Sequence, residues 1–378
     1  MLQKVKRFLA RVLPVPARTF HRSVQEHAKD MKELSAALNG VKKSVADIEK
    51  VACGILWREV INNNIGDRFK PRDYVLLQKL VQFSTISPQK DWTYDFCKSV
   101  SSRDYIPALI AWYYQATGMY LNLDSPQTFN EKIQWLKLYD STPLKTRLAD
   151  KYLVRDWVAE KIGSQYLIPL LGAWDKFDDI DFDSLPNRFV LKANHGCGWN
   201  IIVTDKSNLD IKGANSKLDI WMGKKFGVRG LELHYFNITP KIIAEQFLDG
   251  GDDLKDYKFL CFGGEVKYVW VDSSRYTDHR RDVFDLRWNH QPFTIKFPNA
   301  DSTPPRPNNL EKMIELARIL CQGFAHVRVD FYDVNNVIYF GEMTFTSGNG
   351  EENIEPIEFN YKMGEWIKLP EPTVFQFV

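Results

Sequence analysis

The spacing of apolar residues changes along the chain, and each change predicts a different element. Leu2, Val5, Leu9 and Val12 recur at helical intervals, with Phe8 and Leu13 widening the apolar face, until Pro14 and Pro16 stop the helix. Met31, Leu34, Leu38, Val41, Val45, Ile48 and Ala52 follow at alternating intervals of 3 and 4. That is three heptads of a and d positions with charged residues between them. The pattern suits a coiled coil, or one long amphipathic helix packed within the monomer. Residues 58–145 read as mostly helical and rich in aromatics, among them Trp92, Trp112, Tyr113 and Trp135, which are expected in a core. From about residue 146 the texture changes. A helix is predicted from Lys145 to about Ile162, closed by Gly163; short strands punctuated by Pro, Gly and Asn then alternate with helices such as 310–322. The predicted class is α+β. The predicted division is 1–57, 58–145 and 146–378, the last split into 146–250 and 251–378.

Period-two alternation is clearest in HVRVDFYDVNNVIYFGEMTFTSGNG, residues 326–350. It puts Arg328, Asp330 and Tyr332 on one face, and in the returning strand Phe340, Glu342 and Thr344 share a face. A two-residue turn at Asn335-Asn336 would pair 330 with 341 and set Asp330 and Glu342 on opposite faces. A three-residue turn or a bulge pairs 330 with 342 and brings their Cβ atoms to roughly 4.5–5.5 Å. The odd-length connection is expected, because two carboxylates aimed at one another need a cation between them. All-oxygen ligands favour Mg2+, held partly by nucleotide phosphates and water. A solvent-facing acidic hairpin would have no need of Arg328.

Two further stretches carry chemistry. In FVLKANHGCGWNIIV, residues 189–203, Lys192 stands at the mouth of a loop whose Gly196 and Gly198 would let backbone N–H groups converge on an anion. IIAEQFLDG, residues 242–250, is an apolar strand that could present its backbone edge to a purine. Asp256, Lys258, Arg275, Arg280 and Arg281 follow; the basic ones are candidate donors for an anionic substrate, with plain solvation the default for Arg280 and Arg281.

Composition narrows the class. The 378 residues are 44% apolar and 26% charged with net charge +2, the balance of an ordinary globular protein and not of a dedicated nucleic-acid binder. Cys53, Cys97, Cys197, Cys261 and Cys321 are scattered without a CxxC pair, which predicts neither a zinc site nor a disulfide framework and fits a reducing cytoplasm. No apolar run approaches the ~18 residues of a spanning helix. Lys4, Lys6, Arg7, Arg11, Arg18 and Arg22 all precede the first acid, Glu26. A basic amphipathic helix over residues 1–20 could lie peripherally on an anionic membrane surface or dock on its own protein.

Taken in order, these pieces resemble the ATP-grasp ligase superfamily, in which two α+β subdomains clamp a nucleotide. LADKYLVRDWVAEKIG looks like its helix-opening Asp-Lys segment, which implies Lys151 as the first ATP-contacting lysine. VLKANHGCGWN resembles the second lysine and its loop, implying Lys192 on the phosphates with Asn194, His195, Gly196 and Gly198 closing over them. AEQFL looks like the adenine hinge, implying Glu245 at the adenine amino group and backbone contacts from Phe247 and Leu248. RVDFY and YFGEMTF resemble the paired metal-binding strands and carry over Asp330, Glu342 and Thr344 as Mg2+ positions. DYKF and the later arginine are similar to charged positions that steady the γ-phosphate and acyl phosphate, so Lys258, Arg275 and Arg328 are the implied catalytic cations.

The wording is most similar to the TupA-like ATP-grasp family, over roughly residues 105–370; TFNEKIQWLKLYD, YLIPLLGAWD and DYKFLCFGGE look like its blocks. Two departures stand out. Superfamily members commonly have Asn two residues after the second acid, where this chain has Thr344, a poorer metal ligand. The segment before Lys151 does not read as the strand-rich domain that often precedes the grasp, and a helical replacement is expected.

The resemblance implies a carboxylate–amine ligase using ATP and Mg2+ and passing through an acyl phosphate. Its implied substrates are an amino acid or small amine and a uronic-acid-containing glycan or sugar nucleotide, joined as an amide in bacterial surface-polysaccharide synthesis. Outside the resemblance, the coiled-coil alternative for residues 31–52 would make the protein a homo-oligomer. Two other readings stay open: a glycosyltransferase or other sugar-nucleotide enzyme of the same pathway, and a non-catalytic ATP-binding module.

Overall fold

The computed structural model describes residue 98 and residues 100–250, 254–273 and 278–373. Residues 1–69 and 70–378 separate into two units, and all described residues belong to the second. The basic segment 1–20, the heptads 31–52 and Arg275 lie outside the described residues.

Helix α1 (Tyr105–Thr117) ends on Gly118, whose left-handed φ of 70° suits the C-cap. Helix α2 (Phe129–Tyr139) opens with a capping box: the Thr128 hydroxyl accepts from the Glu131 N–H, and the Glu131 carboxylate accepts from the Thr128 N–H. The single helix expected over 145–162 is two. Helix α3 (Pro143–Ala149) stops at Asp150, which is extended (ψ 114°) and whose Oδ1 accepts from the N–H groups of Tyr152 (2.8 Å) and Leu153 (3.2 Å). A short acid bonding its own backbone competes with the helix. Helix α4 (Val154–Ile162) then runs to Gly163. The break lifts Lys151 out of the helical register.

Two antiparallel sheets follow. The first contains β1 (Leu170–Trp174), β2 (Phe189–Ala193), β3 (Asn200–Val203) and β4 (Ile242–Gln246) in the order β1-β4-β2-β3. Its apolar face, Phe189, Leu191, Val203, Ile242 and Ala244, packs on Ala214 and Leu218 of α5 (Ile211–Met222). The second contains β5 (Asp256–Phe262), β6 (Glu265–Ser273), β7 (Arg280–Phe284), β9 (His326–Val334) and β10 (Val337–Thr344) in the order β10-β9-β5-β6-β7. A short ladder joins β8 (Thr294–Ile295) to β11 (Ile354–Glu355).

One face of the five-stranded sheet, including Phe259, Val329 and Phe331, packs on α3, α4 and α6 (Leu310–Leu320). Each such fully buried Phe contributes about 2–3 kcal/mol. Helices α3 and α4, which flank Lys151, pack on the core of the second sheet. The opposite face is split. Leu260, Phe262, Trp270 and Val283 pack with α2 and α7 (Glu358–Trp366), whereas Asp256, Lys258, Arg328 and Asp330 make the remainder polar. Among the described residues no helix is long and apolar enough to cross a membrane.

Candidate active site

The β9–β10 hairpin positions the acids. Its turn has two residues, Asn335 and Asn336, both left-handed at φ 53° and 63°, the backbone of a tight hairpin that Asn tolerates. Val334 faces Val337 and Phe331 faces Phe340. Continued unchanged, that register would set Asp330 opposite Gly341. A bulge at Gly341 inserts one residue, so Asp330 pairs with Glu342 and Arg328 with Thr344. The expected pairing is therefore reached by the bulge, with a turn of even length. The bulge also moves Phe340, expected beside Glu342, into the core with Phe331 and Met343. Space favours glycine at 341: a Cβ would lie 3.2 Å from the Asp330 carbonyl oxygen and 3.3 Å from the Tyr332 ring.

Charges alternate across this polar face. Asp330 Oδ1 accepts from Arg328 Nε at 2.7 Å, and Oδ2 accepts from Arg328 Nη2 at 2.7 Å and from Lys258 Nζ at 2.9 Å. Lys258, the register partner of Asp330, also donates to Asp256. Arg328 Nη2 reaches Glu342 Oε1 at 2.8 Å, and Thr344 Oγ1 donates to the same oxygen at 3.1 Å. Lys151 Nζ stands 3.8 Å from Glu342 Oε2. Burial works to raise the Glu342 carboxyl, but Lys151, Arg328 and Lys258 overcome it and hold it down at about 2. Burial would likewise lower Lys258; Asp256 and Asp330 outweigh it and raise the ammonium above its ordinary range.

The pair differs in availability. The Asp330 side chain is 3% exposed with both oxygens occupied, while that of Glu342 is 28% exposed and its Oε2 faces Lys151 at 3.8 Å. Among the described residues no group of three or more His, Cys, Asp and Glu side chains is arranged for a metal ion. Two carboxylates and a hydroxyl, all hard oxygen donors, nonetheless fit Mg2+, which takes few protein ligands and fills its shell with phosphates and water.

A second cluster lies across a crevice lined by Lys151, Val154, Arg155, Leu167, Lys192, Glu245, Phe340 and Gly341. Lys192 Nζ meets Glu245 Oε2 at 2.6 Å, and Arg155 Nη1 meets Oε1 at 3.2 Å. Arg155 Nη2 donates to the Ile168 carbonyl at 2.8 Å. With these side chains joined, the crevice leaves about 10 Å³ of room, no more than a single water needs. Lys151 links the two clusters: its Nζ donates to the Gly196 carbonyl at 2.6 Å on one side and approaches Glu342 on the other.

The loop residues divide. Gly198 is left-handed at φ 70°, and a Cβ on Gly196 would collide with the Trp199 ring at 2.2 Å. Asn194 and His195 are buried and hold the loop together. Asn194 Oδ1 accepts from the Lys241 N–H at 2.7 Å and its Nδ2 donates to the Thr239 carbonyl at 3.0 Å. The His195 ring nitrogens face Asn194 Oδ1 (3.1 Å) and the carbonyls of Trp221 (3.2 Å) and Lys224 (3.1 Å), and burial pushes the imidazole below its usual range. Phe247 and Leu248, just past β4, are half-buried, and the Arg188 guanidinium lies 4.1 Å from the Phe247 ring.

Two arginines read differently in three dimensions. Arg281, expected in solvent, is 5% exposed; it donates to Asp272 at 2.6 and 3.2 Å and to Glu352 at 3.1 Å, and lies 4.1 Å from the Trp270 ring. Arg155 draws no expectation from the sequence motifs. Its one available signal is that it follows Lys151 by four residues, one helical turn, in the same motif.

The chain is similar to several solved structures, at low overall superposition. They include the D-alanine–D-alanine ligase of Bacillus anthracis complexed with ATP (16% identity, 53% of this chain and 54% of that one, TM-score 0.31). They include also the D-alanine–D-alanine ligase of Helicobacter pylori (15% identity, 60% of each chain, TM-score 0.33). A third is phosphoribosylamine–glycine ligase of Thermotoga maritima (13% identity, 53% of this chain and 48% of that one, TM-score 0.34). The chain spans about half the length of these structures. No curated protein matches it. A profile described as TupA-like ATPgrasp matches residues 131–368, more than half of the chain and the whole of the crevice just described, and the chain belongs to that family.

Proposed function

We propose that this protein is an ADP-forming carboxylate–amine ligase that works through an acyl phosphate. The observation that carries the reading is the position of Lys151, which borders one crevice with Lys192 and Glu245, touches the glycine-loop carbonyl and stands 3.8 Å from Glu342, so that it ties the crevice to the acidic pair. Lys151 and Lys192 would hold the triphosphate. Glu245, with Phe247 and Leu248 following it in the chain, would receive the adenine. Glu342 and Asp330, with Thr344 bonded to Glu342, would hold Mg2+, which when bound neutralises phosphate charge. The greater exposure of Glu342, whose Oε2 has Lys151 at 3.8 Å, makes it the principal donor, while Asp330 chiefly aligns Arg328 and Lys258.

In the first step a substrate carboxylate oxygen attacks the γ-phosphorus, the bond to the β–γ bridging oxygen breaks, and ADP leaves. An amine then attacks the acyl carbon; inorganic phosphate leaves and the nitrogen loses a proton. Arg328 and Lys258, both fixed by Asp330, would stabilise the negative charge that accumulates on the transferring group, acting by pre-set orientation. Arg275 is assigned the same duty on the motif alone. Lys192 must release Glu245 before it can serve a phosphate.

Membership in the family supports the finer reading, an amide between an amino acid or small amine and a hexuronic acid of a surface polysaccharide. The basic segment 1–20 would suit a cytoplasmic enzyme working beside an anionic membrane, and the heptads 31–52 would suit a homo-oligomer. The test is product analysis with ATP, Mg2+ and panels of uronic acids and amines. ADP, phosphate and an amide of condensed mass are expected. Release of a nucleoside diphosphate from a sugar nucleotide would favour glycosyl transfer instead.

A further inference from the structure

Arg155 belongs to a helix whose Val154 and Val158 are fixed in the core of the five-stranded sheet, yet its guanidinium reaches Glu245 on the other sheet. Its side chain is 14% exposed and that of Glu245 9%. One arm holds Glu245 Oε1 at 3.2 Å and the other the Ile168 carbonyl at 2.8 Å. A planar fork fixed at both prongs fixes the plane of whatever it holds. The remaining partner, Lys192 on Oε2 at 2.6 Å, is the one that must leave when phosphates arrive. Arg155 then becomes the anchor that persists.

A carboxylate accepts and never donates, and two oxygens offer about four acceptor sites, of which the two cations take two. What remains suits a donor. Adenine presents an amino group at its six position, whereas guanine presents an oxygen there. We infer that Arg155 sets the base selectivity of the nucleotide site, by holding Glu245 in the orientation that accepts the adenine amino group and repels the guanine oxygen. The inference rests on the nucleotide-binding reading above. Arg155 is a positioning residue; the base contact itself is made by Glu245.

The experiment titrates ATP and GTP separately into the full-length protein with Mg2+ and compares wild type with Arg155→Met and Arg155→Lys. Wild type should prefer ATP by about a hundredfold or more, since a site built for a hydrogen bond rejects the wrong partner strongly. Arg155→Met should lower the ATP-to-GTP affinity ratio about tenfold, mainly by weakening ATP. Arg155→Lys, whose single ammonium cannot hold Glu245 and the Ile168 carbonyl together, should fall between them; it carries the test if the Met variant fails to fold. An unchanged ratio, with both nucleotides weakened equally, overturns the inference and leaves Arg155 a structural residue. Wild-type protein that binds neither nucleotide would sink the underlying reading as well.

Discussion

The Glu342 carboxyl is held at about 2, below the 4.5 of a free side chain, so the attraction it provides is complete above about 4.5 and is lost as pH falls through about 2. Glu342→Gln should therefore melt about 2–4 °C below wild type at neutral pH, with the gap closing between pH 4.5 and 2. A gap that stays constant would assign the stabilisation to shape. Asp330→Asn should cost more, about 3 kcal/mol in urea unfolding, because it leaves Lys258 and Arg328 buried without their shared partner. Lys192→Ala is the contrasting case. Glu245 keeps Arg155, so stability should hold while the Kd for ATP rises about tenfold or more. Lys192, Asp330 and Glu342 could be read from the chain because period-two alternation puts them on strands beside turns. Arg155 could not, since its partner is 90 residues away and a lone arginine on a helix ordinarily lies in water.

Elements were legible wherever a period ran uninterrupted, as in α6, expected over 310–322 and found at Leu310–Leu320. They were harder to read where one residue interrupts the period: Asp150 splits a helix expected whole, and Gly341 sets the expected pairing by a bulge, where a turn of odd length was expected. The first interruption precedes Lys151 in the crevice lining, and the second pairs Glu342 with Asp330. Asp150→Ala should cost about 1 kcal/mol through the lost backbone bonds and should weaken ATP binding by freeing Lys151, read by calorimetry. Gly341→Val should destabilise by about 1–3 kcal/mol, because its Cβ already crowds the Asp330 carbonyl at 3.2 Å. Gly341→Ala should cost less. If Gly341→Val is neutral in urea unfolding, the strand adapts more readily than the contacts imply.

At the scale of the molecule, the family match begins at residue 131, so removing residues 1–57 should leave the Kd for ATP unchanged. Loss of nucleotide binding on that truncation would show that the two parts work together. The assignment of helices to sheets was not legible, because an amphipathic helix announces only that it has an apolar face and not which sheet will receive it. Leu167 forms a lone parallel bridge with Phe340. It is flanked by Ile168, which Arg155 grips, and Phe340 is flanked by Gly341 at the bulge. The carboxylate that Arg155 grips and the one that the kink aims are therefore tied through a single backbone bridge, and loosening that bridge would loosen both.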